Sequence, residues 1–473
     1  MRAASPYVPG KSVTLHLHWL DLVVVLGSLF LVFGAGLRGI GRPGKEEASA
    51  VDYILAGRSL TLPLFVCTMI ATWYGAPLGA GEFVYTNGLV MIFCLGVPYY
   101  LAAIGYALFM ARRIRSSPAL SIPEQIRVHY GDRAGMIASL LVLVFTVPAS
   151  YILMAGTFVQ AFTGWPLVVA LVISTVASLA YVLKGGLRSD AQANVVQTVL
   201  MFLGFFVLLA GCIVWWGSPV QMWERLPETH RTLPGAPGWQ PVIVWWIIAL
   251  QTFVDPNFHM RTAAAVSPRV AQRGILVSVS LWVGFDLLQL TTGLYAKAYM
   301  SVSDPVQTYI VLSDTILPAI GKGVFVAGVL AAIMSTLDGY ALVSANTIGH
   351  DIIDRLRGRA SASVARASSI RWGLLVTGIA GIAAALLVPS VISLLYLAAS
   401  IAIPGLLIPL ICSYFPIRSR IGPVILPLMV VPVLSGLAWR WWGSADLDPM
   451  IVGLGASLCM IAVISMVRRE RQA

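Results

Sequence analysis

Residues Ala331 to Gly339 read Ala-Ala-Ile-Met-Ser-Thr-Leu-Asp-Gly in the middle of a long apolar run. Ser335, Thr336 and Asp338 have no water there to solvate them. Each must find a partner inside the protein or bind something. Hydroxyl and carbonyl oxygens are hard ligands, suited to a small hard cation such as sodium. Ala332, Ser335 and Thr336 stand at i, i+3 and i+4, so they share one helix face. The competing role is structural, because hydroxyls in membrane helices often bond back to a carbonyl one turn earlier.

Two more places interrupt apolar runs with polar or helix-breaking residues. Ile70 to Gly81 reads Ile-Ala-Thr-Trp-Tyr-Gly-Ala-Pro-Leu-Gly-Ala-Gly. Pro77 cannot donate a backbone hydrogen bond and crowds the preceding turn. Phe253-Val254-Asp255-Pro256-Asn257 sets a proline after a carboxylate. Matched interruptions in two halves of a chain point to a binding site near the bilayer midplane. The candidates to line it are Trp73, Gly75, Ala76, Gln251, Asp255 and Phe258. Asp255 would meet a cationic or amino group, or pair with Arg261. Asp286 and Gln289 share a face and read as polar glue between helices. His259 reads as a packed histidine ahead of a proton relay.

The elements that must position these groups are membrane helices. The chain has 473 residues, 58% hydrophobic and only 11% charged. That balance excludes an ordinary soluble protein. Marking runs of ~20 apolar residues gives about thirteen. They lie near 17–38, 61–86, 88–112, 133–162, 165–183, 190–216, 240–260, 273–300, 320–350, 370–388, 390–415, 421–441 and 449–467. The first, without a small-residue cleavage site, reads as a retained helix rather than a signal peptide. The five cysteines, Cys67, Cys94, Cys212, Cys412 and Cys459, fall inside runs and read as small apolar fillers. No paired-histidine metal motif or nucleophile elbow is present, so an enzyme is not expected.

The net charge of +11 does not indicate nucleic acid, because the positive residues fall in alternate connections. Arg38, Arg42, Lys45 and Arg58 follow the first run. Arg112, Arg113, Arg115, Arg127 and Arg133 follow the third. Arg355, Arg357, Arg359, Arg366 and Arg371 follow the ninth, and Arg468, Arg469 and Arg471 the last. The positive-inside rule then puts the N-terminus outside and the C-terminus in the cytoplasm. Residues 1–473 are expected to form a single transmembrane domain embedded in the lipid bilayer, with no obligate protein partner evident. Segments 61–216 and 240–415 hold five runs each. An odd number gives the two sets opposite orientations, as an inverted repeat requires. Segment 17–38 is then a peripheral N-terminal helix, and 421–467 two C-terminal helices.

The ordered motifs resemble the sodium:solute symporter family, which has a leucine-transporter-type fold. Gly57-Arg58-Ser59-Leu60 is similar to the family's lead into its first core helix. Gly185-Gly186-Leu187 with Asn194 and Gln197 resembles its fifth-helix signature, and Met260-Arg261-Thr262-Ala263-Ala264-Ala265 the exit from its sixth. Ala331 to Asp338 resembles the eighth. The resemblance implies one sodium ion held by the backbone carbonyls of Ala71, Tyr74 and Ala332 and the hydroxyls of Ser335 and Thr336. It implies symport of a small-molecule solute across a bacterial-type inner membrane. Where the family often carries an aspartate for a second ion, this chain has Asn194. Asn194 and Asp338 are therefore a possible secondary ion or proton site. Proton coupling on the same fold, or a membrane-embedded sensor, are the alternatives.

Overall fold

Long apolar runs punctuated by Gly, Pro and Ser fold here as helices. The computed structural model describes residues 17–40, 49–358, 367–388, 391–416, 421–443 and 447–470. Arg42, Lys45, Arg359, Arg366 and Arg471 lie outside them. No strand is present among the described residues, and Leu60 and Ala265 form an isolated parallel bridge. The principal helices are α1 Trp19–Arg38, α2 Leu62–Ala71, α3 Pro77–Asn87, α4 Val97–Phe109, α5 Ile122–Tyr130, α6 Asp132–Thr146, α7 Ala149–Thr163, α8 Leu167–Trp216, α9 Trp239–Ile248, α10 Pro256–Ala264, α11 Pro268–Tyr299, α12 Thr308–Ile316, α13 Gly321–Asn346, α14 Ala367–Leu387, α15 Val391–Ser413, α16 Ile425–Trp442 and α17 Pro449–Glu470.

Every apolar run marked in the sequence falls on helix. Eight helical stretches are long and apolar enough to cross a membrane. Leu62–Ala71 and Trp239–Phe253 are shorter apolar helices. Part of the difference between the two tallies is physical. The runs at 61–86 and 240–260 are each cut by a break, and 165–183 joins 190–216 in α8. Gly186, with φ +58° and ψ −145°, divides α8. A Cβ there would lie 2.1 Å from the Tyr53 carbonyl oxygen, so only glycine permits the approach.

α13 sits at the centre. The stretch Gly321–Asp354 has 94% of its apolar window buried, against 28% for α1. α1 turns Val25, Ser28 and Val32 inward and leaves Leu26, Phe30 and Leu31 exposed, as a helix against lipid should. Trp165, Trp215, Trp239, Trp441 and Trp442 are exposed near helix ends, where an interfacial aromatic belt sits. The connection 217–239 is partly helical. Its His230 is buried, with Nε2 3.0 Å from the Tyr85 carbonyl near the C-terminal end of α3. The cysteine reading needs one correction. Cys94 and Cys212 are buried, but Cys459 is exposed on α17 and fills no core.

Candidate functional site

The first broken helix ends at Ala71 and restarts at Pro77. Pro77 has no N–H to bond back, and residues 72–76 leave the helix, so carbonyls at the end of α2 are freed. Two of them face α13. The Ser335 hydroxyl lies 2.5 Å from the Ala71 carbonyl and 2.9 Å from that of Ala332. The Thr336 hydroxyl lies 3.2 Å from the Thr72 carbonyl and 3.2 Å from that of Ala332. Both side chains are buried.

The arithmetic of this cluster is informative. Three carbonyls and two hydroxyls converge, yet only the hydroxyls carry protons. Each proton can satisfy one direction at a time. Four short oxygen–oxygen contacts therefore share two protons, which leaves an excess of lone pairs facing one another. A small monovalent cation relieves that excess, and neutral oxygens suit an ion that must be released again. The donor set fits sodium. Back-bonding to Ala332, the structural alternative, is also present, so the hydroxyls bridge both roles.

Ala71, Ala332, Ser335 and Thr336 are thus brought together, as the family resemblance implied. The carbonyl within reach of Thr336 is that of Thr72, a residue the sequence reasoning passed over. Tyr74 is buried, and its hydroxyl donates to the Trp282 carbonyl at 2.9 Å. The neighbouring Gly75 is pressed against α13. A Cβ on it would sit 2.5 Å from Thr336 Cγ2 and 2.6 Å from Tyr151 Cε1.

The second break runs through a tight 3-10 turn, Ala249–Phe253, before α10 starts at Pro256. Trp73 stacks on Trp282 at 4.7 Å and meets Tyr99 and Phe258 edge-on at 5.8 and 5.7 Å. The Gln251 amide donates to the Tyr99 hydroxyl at 2.8 Å. Trp73, Gln251 and Phe258 therefore border one aromatic-walled region. The Thr252 hydroxyl, buried beside Gln251, has no protein partner among the described residues. Gly75 and Asp255 join through Tyr151, which stacks on Tyr340 at 5.4 Å. Ala76 is the residue that starts α3, and no side chain caps that helix end.

Asp255 is not paired with Arg261. One carboxylate oxygen accepts the Phe258 N–H at 2.8 Å, and the other accepts the Tyr340 hydroxyl at 2.6 Å. It is an N-cap that also ties α10 to α13. The Arg261 guanidinium reaches Asp190 of α8 at 2.7 Å, and both side chains are fully buried. It also donates to Thr68 at 3.0 Å and to Asn257. Asp190 was missed because nothing in the local sequence separates it from a surface acid beside Arg188. Its place on the Asn194 face one turn earlier was the available signal.

Asn194 and Asp338 do not touch one another through a hydrogen bond. Asn194 donates to Thr68 at 2.7 Å. Asp338 accepts from Ser178 and Tyr181. Asp286 does act as glue, accepting from Tyr100 of α4. Gln289 does not, since both atoms of its buried amide lack partners among the described residues. His259 packs between Tyr106 and Tyr414, with Nδ1 3.2 Å from the Asp255 carbonyl.

A family model described as the sodium:solute symporter family matches residues 53–420. The chain belongs to the sodium:solute symporter family. Its members are transporters, not enzymes. The sodium/glucose cotransporter 4 of Danio rerio is 24% identical over 395 residues, which cover 72% of this chain and 59% of the cotransporter. The chain thus spans less than two thirds of that relative. The sodium/pantothenate symporter of Haemophilus influenzae is 25% identical over 342 residues, covering 68% of this chain and 70% of the symporter. A Na+-coupled sialic acid symporter, solved in a substrate-bound outward-open state, superposes with a TM-score of 0.79 at 16% identity. The match covers 93% of this chain and 96% of the other. At that identity the likeness shows the fold, a leucine-transporter-type helical membrane architecture.

The family motifs now have mechanical content. Leu60, at the end of the lead-in, donates to the Ala264 carbonyl at 3.1 Å and accepts from Val266 at 2.9 Å. The start of one broken helix is thereby stitched to the exit of the other. Arg58 braces the same corner, donating to the carbonyls of Arg115 at 3.1 Å and Ser117 at 2.9 Å.

Proposed function

We propose that this chain carries out sodium-coupled symport of a small organic solute by alternating access. The observation that supports it most is the cluster of three carbonyls and two hydroxyls sharing two protons between the first break and α13. Sodium would be held by Ala71, Ala332, Ser335 and Thr336, with Thr72 or Tyr74 supplying the remaining carbonyl. In that position it ties the break to α13 and favours one of the two access states. Sodium drives transport only through its different affinity for those states. The solute would lie between the two breaks, against Trp73, Gly75, Ala76, Gln251 and Phe258, with Asp255 shaping the site as a cap. Losing sodium to the cytoplasm would loosen the break and release both.

The proposed pocket has broad aromatic walls and few free polar groups. A sugar needs many hydrogen-bond partners, so this lining favours a solute with an apolar or flat portion. The membrane is the inner membrane of a bacterial-type cell, with the N-terminus outside. Asp338, buried with two hydroxyl donors and in no ion pair among the described residues, supports a second reading as a proton carrier or secondary ion site with Asn194.

The test is uptake into proteoliposomes. Proline, choline, pantothenate and glucose, named for relatives of this family, form the starting panel. Uptake that needs an inward sodium gradient, and fails with potassium, supports the reading. Full uptake without sodium under an imposed pH gradient overturns sodium coupling in favour of Asp338.

A further inference from the structure

Asp21 lies in the first turn of α1, in a helix that the family fold leaves at the periphery. Yet its side chain is 1% exposed. One carboxylate oxygen accepts two backbone N–H groups from another helix, those of Ile320 and Gly323, each at 2.8 Å. The other oxygen accepts the N–H of His18 at 2.9 Å. Ile320 and Gly323 belong to the first turn of α13, whose own capping residue supplies no side-chain bond. Asp21 is therefore the cap of α13, delivered from a different helix. A negative charge there also complements the positive end of the helix dipole.

The geometry around this contact is tight. Ile320 holds a positive φ of +74°, an unusual conformation for a branched residue, which aims its N–H at the carboxylate. Gly323 abuts Asp21 so closely that a Cβ would lie 2.8 Å from both the Cα and the carbonyl oxygen of Asp21. Further along, Val25, Ser28 and Val32 of α1 face Ala327, Leu330 and Met334 of α13 across a small apolar cavity. The contact of α1 with α13 is thus apolar along its length, and the polar contact is the one at the start of α13.

We infer that Asp21 is a positioning residue for the sodium site, fixing the axial register of α13. This rests on the sodium assignment proposed above. α13 is one regular helix from Gly321 to Asn346. At 1.5 Å per residue, Ser335 stands about 21 Å from its start. A rigid, enclosed helix carries a shift at its end to its centre. The Ala332 carbonyl and both hydroxyls move with α13, whereas the Ala71 and Thr72 carbonyls belong to the first break. Slippage along the axis therefore separates the two halves of the ligand set. Sodium would then spend part of its binding free energy restoring the register, and its apparent affinity falls.

The test needs no solute. Purified full-length protein is titrated with sodium chloride against potassium chloride at constant ionic strength, following the melting temperature. The wild type gains stability with sodium at a defined half-saturation. Asp21→Ala moves that half-saturation several-fold upward with the full response still reached at high sodium. Asp21→Asn, which keeps a carbonyl acceptor for both N–H groups, returns most of the way. Gly323→Ala, which forces α1 off α13 from the other side, shifts it upward as well and carries the test should Asp21→Ala fail to fold. A lower melting temperature with unchanged half-saturation in these variants overturns the inference. A wild type indifferent to sodium overturns the sodium assignment itself, and the inference with it.

Discussion

Ser335 and Thr336 spread two hydroxyl protons over four contacts, which is what the proposed sodium site rests on. Ser335→Ala and Thr336→Ala each remove a proposed sodium ligand without adding bulk. Sodium-driven uptake should then need several-fold more sodium, while saturating sodium restores much of the rate. A sodium titration of initial uptake reads this directly. Arg261 and Asp190 act differently, as a fully buried pair. Removing one partner strands the other charge, which typically costs about 3–5 kcal/mol. Asp190→Ala should therefore unfold at markedly lower temperature than wild type. Combining it with Arg261→Met should recover part of the loss, because apolar replacement of both partners is far less costly. Thermal unfolding in detergent checks both expectations.

At the scale of elements, the two breaks are held by contacts that tolerate very little. Gly75→Ala introduces a methyl into space already taken by Thr336 and Tyr151. Overpacking of this kind costs about 1–3 kcal/mol, and here it also pushes the first break off α13. Gly75→Ala should lose sodium-dependent stabilisation altogether while still reaching the membrane, measured by melting with and without sodium. Asp255 makes a sharper distinction. As an N-cap it is replaceable by asparagine, since the two cap helices about equally well. Asp255→Asn should retain most of the uptake activity, and Asp255→Ala should lose it. Loss of uptake in both would mean that the negative charge itself meets the solute.

For the whole molecule, the charge pattern along the chain sets orientation in the bilayer. A membrane-impermeant thiol reagent applied to intact cells should label a single cysteine introduced at Trp19 in a cysteine-free background. One introduced at Arg355 should react only after the membrane is opened. The opposite pattern would reverse the assigned direction of transport. The fold divides the labour between an enclosed α13 and helices such as α1 and α16 that face lipid. Changes on the exposed faces of α1, such as Phe30→Leu, should leave both melting and uptake unchanged, in contrast to the buried Asp21 on the same helix.

Several things were legible in the sequence because they are local. Apolar runs of membrane-spanning length, the proline and glycine interruptions at 71–77 and 253–256, and the i, i+3, i+4 spacing of Ala332, Ser335 and Thr336 all follow from backbone chemistry and helix period. The pairing of Ser335 with the Ala71 carbonyl came within reach only through the family resemblance. The rest depended on distance across the fold. Whether Arg261 meets Asp255 or Asp190 is decided by the approach of α8 to α10, and residues 71 positions apart carry no local mark of that contact. Gln289 and Asp286 share a helix face, yet only Asp286 finds a partner, because Tyr100 reaches one turn of α11 and not the next. Asp21 read as an unremarked first-turn acid. Its part in holding α13 exists only because tertiary packing brings the start of α1 to a helix end that no side chain of its own caps, where the Asp21 carboxylate accepts two stranded N–H donors.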